Sequence, residues 1–252
     1  MSKSSLATIE VPAYEGNYTK GRNTTIKAIT IHHMAGKLTA QRCGELFQAV
    51  GRKGSSHYGI GYNGEIACYV DEDDTAWTNS NWNSNCESVT IETSNDEVGG
   101  NWHVSDKSLE SLIKLIADIA IRNNLGTLVK GKNLTWHQLV ADKKYPTACP
   151  GPYLISKLDY IIEKANEIIN PPKEEEPVEE PKFKVGDKVK IIATGNGSSY
   201  GTSNKAYGLG WIRYITAIYE GRPFPYQVGN EGKTDSANTT GFYAESALQK
   251  VS

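Results

Sequence analysis

Residues 171–181, PPKEEEPVEEP, set the limits on what this chain can fold into. Proline removes backbone donors and like-charged glutamates repel one another, so no core can run through the stretch. Its five glutamates and one lysine carry −4 of a chain total of −2, which leaves the remainder at +2. The 252 residues therefore divide into a first module at 1–169, a linker at 170–182 and a second module at 183–252. Neither module is basic enough for nucleic acid to be the main partner, and no arginine-rich or aromatic-basic motif occurs. With no apolar run of roughly 18 residues, no membrane insertion is expected. The first residues, MSKSSLATIEVPAY, lack the apolar segment of a secretory signal peptide, so accumulation in the cytoplasm is expected.

The first module alternates strand and helix patterns, which predicts an α/β fold with a mixed β-sheet flanked by helices. Its first 25 or so residues are polar and read as a loop or arm. Residues 26–33 read as an interior strand, apolar on both faces. Residues 39–50 carry Cys43, Leu46, Phe47 and Val50 at helical spacing. Residues 57–70 form a hairpin signal around Asn63-Gly64, the pair that suits a two-residue turn with positive φ at both positions. Residues 71–87, rich in Asn and Trp, read as a long surface loop of the kind that tends to be functional. A short strand at 89–91 ends in Glu92, and amphipathic helices are expected at 106–125 and 152–169. Cys43, Cys68, Cys86 and Cys149 form no CxxC pair and suggest no disulfide framework. Cys43 and Cys68 read as small buried hydrophobes.

The chemistry gathers in residues 135–153, TWHQLVADKKYPTACPGPY, where Cys149 follows His137 after twelve positions. Imidazole nitrogen and thiolate sulfur are ligand types that zinc selects. The strand AITIHH ends in His32 and His33, whose side chains point to opposite faces, so one can be a third ligand. Parity alone does not choose between them. Three protein ligands with an open fourth position describe a hydrolytic zinc rather than a structural one. Glu92 is either a solvated strand end or a base placed over that metal, if its strand lies beside 26–33. Thr147 is either an ordinary loop threonine or a hydroxyl aimed at a developing oxyanion.

Four segments, ITIHHMAG, SSHYGIGYNGEI, SVTIETSND and WH followed by TACPGPYL, resemble in order and spacing the zinc-dependent N-acetylmuramoyl-L-alanine amidases. These are the type 2 amidases related to peptidoglycan-recognition proteins, and the resemblance spans residues 20–165. It implies that His32, His137 and Cys149 hold Zn2+, that Glu92 is the acid/base, and that Thr147 stands where relatives carry Lys or Thr. His57, Tyr58 and Trp77 become expected wall or substrate-binding residues. Two departures are visible. Ser56 stands where some relatives have a catalytic Tyr, and Thr78 follows Trp77 where the family often has His.

Residues 183–252 switch to glycine, aromatic and β-branched residues in short runs, which predicts a small all-β barrel. The segment resembles bacterial SH3-like modules that bind cell walls, through KVGDKVKI and FYAESALQKV. Tyr200, Tyr207, Trp211, Tyr214 and Phe224 are the expected stacking aromatics, several of them needed for the core. The expected function is that of an endolysin cleaving the bond between N-acetylmuramic acid and L-alanine in Gram-positive peptidoglycan. Such an enzyme would stay in the host cytoplasm until a holin lesion releases it to the wall. The rivals are a zinc peptidase acting on the peptidoglycan peptide and a recognition protein without catalysis.

Overall fold

The computed structural model describes residues 3–171, 181–196, 198–200, 204–205 and 208–251. The chain forms two compact units, Met1–Pro172 and Lys173–Ser252. Most of the expected linker, residues 172–180, lies outside the described residues.

In chain order the first unit begins with strands β1 (Ile9–Glu10), β2 (Tyr18–Thr19) and β3 (Ala28–His33), then helix α1 (Ala40–Phe47). Strands β4 (Tyr58–Ile60), β5 (Ile66–Cys68) and β6 (Thr75–Ala76) follow, with helix α2 (Trp82–Glu87). Strand β7 (Ser88–Thr93), helix α3 (Asp106–Arg122), strand β8 (Leu134–Trp136), the short helix α4 (His137–Val140) and helix α5 (Gly151–Ile169) complete it. Six strands make one sheet in the order β1-β5-β4-β7-β3-β8, in which the β4–β5 pair is antiparallel and the others parallel. The mixed sheet flanked by helices is therefore as expected.

Side-chain alternation decides what each face of the sheet does. Ile29 and Ile31 of β3 and Val89 and Ile91 of β7 pack in one core with Leu112 and Ile116 of α3 and Leu158 and Ile161 of α5. Each such side chain contributes about 1.5–3 kcal/mol on burial. Helix α3 starts where the Ser105 hydroxyl accepts from the Ser108 N–H, a cap worth about 1 kcal/mol. On the other side, α1 packs Ala40, Cys43 and Phe47 against Val11, Ala13 and Tyr69. Gly59 is required there, because a Cβ would run into the Tyr69 ring.

Four expectations need correction. Strand β3 is buried on both faces but apolar on one, since Thr30 and His32 are buried on the face opposite Ile29 and Ile31. The first 25 residues are no free arm. Strand β1 pairs with β5, Val11 and Ala13 are buried, and the Asn17 amide donates to the carbonyls of Phe47 and Ala49. Polar composition misleads there because backbone carbonyls satisfy the side chains.

The hairpin turn is not a two-residue type either. The Gly64 N–H donates to the Gly61 carbonyl, and Gly64 takes φ +86 whereas Asn63 does not enter the left-handed region. That is a three-residue loop with the glycine in the left-handed position. Finally, residues 71–87 are not all surface loop. β6 pairs with β2, α2 follows, and the Glu72 carboxylate is buried between Arg122, Asn123 and the Tyr58 hydroxyl. Cys43, Cys68 and Cys86 are buried free thiols.

The second unit contains strands β9 (Lys188–Ile191), β10 (Gly195–Asn196), β11 (Asn204–Lys205) and β12 (Ile212–Ile218). It continues with β13 (Tyr226–Gly229), β14 (Thr239–Tyr243) and β15 (Leu248–Lys250). They form an antiparallel sheet in the order β11-β10-β14-β13-β12-β9-β15. Its core holds Phe183, Val189, Ile191, Ile215, Tyr226, Val228 and Tyr243. The unit is all-β, as expected. Among the described residues its two end strands are not paired with each other. Of the expected stacking aromatics, Tyr200 and Trp211 are exposed, Tyr214 and Phe224 are half-buried, and Tyr207 lies outside the described residues.

Candidate metal centre and active site

The parallel register builds the site. β3 pairs with β7 so that His32 stands opposite Glu92, and with β8 so that Ile31 stands opposite Trp136. One step further along β8 comes His137, the first residue of α4. Glu92, His32 and His137 therefore form a row across the carboxyl ends of three adjacent strands, about 4.8 Å apart per step. Ligand sites of open α/β sheets form at such strand ends.

Cys149 reaches the row from the loop before α5. Its carbonyl accepts from the Gln138 N–H, which ties the loop to α4. Its sulfur lies 3.7 Å from His32 Nδ1, and the His33 backbone N–H points at it from 3.5 Å. The ligand atoms of His32, His137 and Cys149 all lie within 4.8 Å of one another. Zinc–nitrogen and zinc–sulfur bonds of ordinary length in a tetrahedron put N and S about 3.6 Å apart, which the His32–Cys149 pair meets.

Electrostatics agree with the donor set. Burial lowers the pKa of His32 well below that of a free histidine, with His137 adding to the effect. Burial, then His33, lowers His137 to about 4. Both rings are neutral at pH 7 and so offer lone pairs. Burial raises the Cys149 thiol, a direction that a cation bound beside it would reverse. Burial likewise pushes the Glu92 carboxyl up to about 8. Its Oε2 is buried and makes no hydrogen bond.

His32, Glu92, His137, Thr147 and Cys149 all line one cleft of about 530 Å³, which Thr78 and Trp102 also border. The Thr147 hydroxyl accepts from the Cys149 N–H at 3.1 Å. His33 shares the cleft wall, its ring edge-on to Trp102. Trp77 lines a neighbouring cleft of about 620 Å³ with Thr78, Ser80, Trp82 and Tyr145.

Two expected wall residues stand elsewhere. His57 is fully buried, held by Thr90 and by the Arg22 guanidinium 2.7 Å from Nε2. Tyr58 is also fully buried, its hydroxyl donating to Glu72 at 2.6 Å. Neither can touch a ligand, because both are consumed in internal polar contacts. Ser56 is buried as well, bonded to Thr90 and to the Tyr58 carbonyl. Asn79, Ser80 and Trp102 stand at the site although no motif marks them in the sequence. The signal for the first two was the asparagine density of 79–85, NSNWNSN.

An α/β fold with two histidines, a cysteine and a buried carboxylate at its strand ends defines a protein with a candidate hydrolytic metal centre. A family model described as N-acetylmuramoyl-L-alanine amidase matches residues 22–152, more than half of the chain, and the chain belongs to this family. No curated protein matches it. Three solved structures illustrate the fold. One described as the structure of PlyL is 17% identical with TM-score 0.51, covering 63% of this chain and 96% of that one. A selenomethionine derivative of AmpD is 18% identical with TM-score 0.51, covering 64% and 96%. A mutant endolysin from Bacillus subtilis is 20% identical with TM-score 0.50, covering 62% and 97%. At these identities the likeness speaks for the fold of the first unit alone.

Proposed function

We propose that this chain is a zinc-dependent N-acetylmuramoyl-L-alanine amidase of the endolysin kind, with His32, His137 and Cys149 as metal ligands. The observation that carries this reading is the row of Glu92, His32 and His137 at three strand ends, with the Cys149 sulfur 3.7 Å from His32. Zinc held there would polarise an amide carbonyl and acidify a water molecule. Glu92, whose Oε2 is unpaired in the cleft, takes the proton of the attacking water and passes it to the departing nitrogen. Thr147 Oγ1 donates to the oxyanion as it forms. With His57 and Tyr58 buried, Trp77 is left as the substrate-binding residue of the three, in the cleft that shares Thr78 with the metal site. The bond cut joins the lactyl group of N-acetylmuramic acid to L-alanine in the Gram-positive wall.

The second unit is the wall-binding module in this reading, its exposed Tyr200 and Trp211 suited to stacking. Release from the host cytoplasm through a holin lesion completes the proposal. Zinc analysis together with mass spectrometry of digested peptidoglycan tests it. The expected result is one zinc per chain and free stem peptides that begin with L-alanine. New amino termini inside the peptide would instead mean a peptidase, and zinc without any product a recognition protein. Removing residues 182–252 is expected to leave hydrolysis of soluble fragments intact and to weaken binding to whole walls.

A further inference from the structure

His32 presents Nδ1 to the Cys149 sulfur and turns Nε2 toward a turn of chain that His137 Nε2 also meets. His32 Nε2 lies 2.8 Å from Asn79 Oδ1, and His137 Nε2 lies 3.3 Å from the Ser80 hydroxyl. The neighbours of Asn79 decide which way its amide points. Ser88 Oγ gives its only proton to the Ser84 carbonyl at 2.7 Å, so toward Asn79, 2.9 Å away, it can only accept. The Asn79 atom facing Ser88 is therefore the NH2, which also meets Ser84 Oγ at 2.8 Å. The oxygen is left to face His32. An oxygen there accepts, so the proton of the His32 ring sits on Nε2. The lone pair is then on Nδ1, the nitrogen 3.7 Å from the Cys149 sulfur.

The turn is built to hold this arrangement. Asn79 is fully buried, and Asn85 Oδ1 accepts the backbone N–H groups of both Thr78 and Asn79. Ser80 takes φ +51, a left-handed conformation that costs a residue with a side chain free energy, so the surrounding contacts must over-determine it. Two consecutive residues thus bracket two ligands that are 105 positions apart in sequence.

We propose that Asn79 is a positioning residue that fixes His32 as its Nε2–H tautomer, with Nδ1 presented to the metal before any metal arrives. Ser80 supports the orientation of the His137 ring through a longer bond from its hydroxyl to Nε2. The inference rests on the metal-centre reading above and adds to it what sets the ligand geometry. Groups in this position orient the ring, and their loss weakens metal binding by about 10–100-fold.

Nitrogen-15 NMR of the full chain stripped of metal reads the tautomer directly. The expected signature is protonated Nε2 and unprotonated Nδ1 on His32 before zinc is added. A His32 ring protonated on Nδ1, or averaged between the two forms, overturns the proposal, and this readout needs no variant to fold. Zinc affinity, measured by competition with a chromophoric chelator, gives the second readout. Asn79→Leu should weaken zinc binding by about 10–100-fold while the circular dichroism stays that of the native chain. Asn79→Asp, which keeps the acceptor, should recover most of the loss, and Ser80→Ala should lose less than Asn79→Leu. If a folded Asn79→Leu protein binds zinc as tightly as the unaltered chain, the bracket has no such role. If the unaltered chain takes up no zinc at all, the metal-centre reading fails and this inference falls with it.

Discussion

Strands β3 and β7 present two faces made of the same short sequences, and the faces do opposite work. Toward α3 and α5 they offer Ile29, Ile31, Val89 and Ile91, which pack in the apolar core. Away from those helices they offer Thr30, His32 and Thr90, which are just as buried but polar, and the half-buried Glu92. There Thr30 bonds Thr135 at 2.9 Å and Thr90 bonds Ser56 and His57. The first face gains stability from area removed from water. The second must satisfy every donor and acceptor it buries, and at its carboxyl end it leaves Glu92 Oε2 unpaired. Stability and chemistry are thereby separated by one residue of register, so substitutions on the two faces should have separable effects.

The largest effect is expected from the sulfur. Cys149→Ser replaces the soft ligand and should abolish zinc binding and hydrolysis together while circular dichroism stays native. Retained zinc at one per chain would show that Cys149 is no ligand. Next comes Glu92→Gln, which should keep zinc and lower turnover by about 10²–10⁴, the usual scale for losing an acid–base group. Full activity in this variant would contradict the proposed proton path. On the apolar face, Ile116→Ala should cost about 2–5 kcal/mol of stability. Denaturant melts would measure it, and turnover of the folded protein should not change. A fall in turnover equal to that of Glu92→Gln would mean that the faces are coupled rather than separate.

Periodicity and spacing in the sequence encode part of this division. The helix stripes, the strand ending in His32 and His33, and the pairing of His137 with Cys149 could all be read from the residues. Register could not, and it is register that sets Glu92 beside His32 and not two residues away. The choice between His32 and His33 also lay outside parity, because both residues, on opposite faces at the end of that strand, line the cleft. Asparagines 79–85 looked like solvent-facing loop because amides are usually exposed, whereas Asn79 and Asn85 are buried, with Asn85 Oδ1 accepting the Asn79 backbone N–H and Asn79 Oδ1 facing His32. His57 and Tyr58 misled for the same reason in reverse. A polar residue beside a motif suggests a ligand contact until its hydrogen bonds are traced to Arg22, Thr90 and Glu72.

His57 offers the finest test of the polar face, since it belongs to that face without belonging to the site. Burial lowers its pKa well below that of a free histidine, and the Arg22 guanidinium beside Nε2 pushes the same way. The folded chain therefore keeps His57 neutral at a pH where the unfolded chain, with an ordinary histidine pKa of about 6.5, takes up a proton. Protons then favour the unfolded state, so this contribution to stability is whole above about pH 6.5 and is lost as the pH falls below it. At pH 5.5 one such group costs at most about 1.4 kcal/mol relative to pH 7.5. The other buried histidines add their own losses, so the comparison must be differential. Between pH 7.5 and 5.5, His57→Gln should lose less stability than the unaltered chain, by up to about 1.4 kcal/mol, whatever its starting stability. Parallel pH slopes for the two proteins would mean that His57 titrates as freely folded as unfolded. It would then be open to the cleft as a wall residue and not part of the frame behind it.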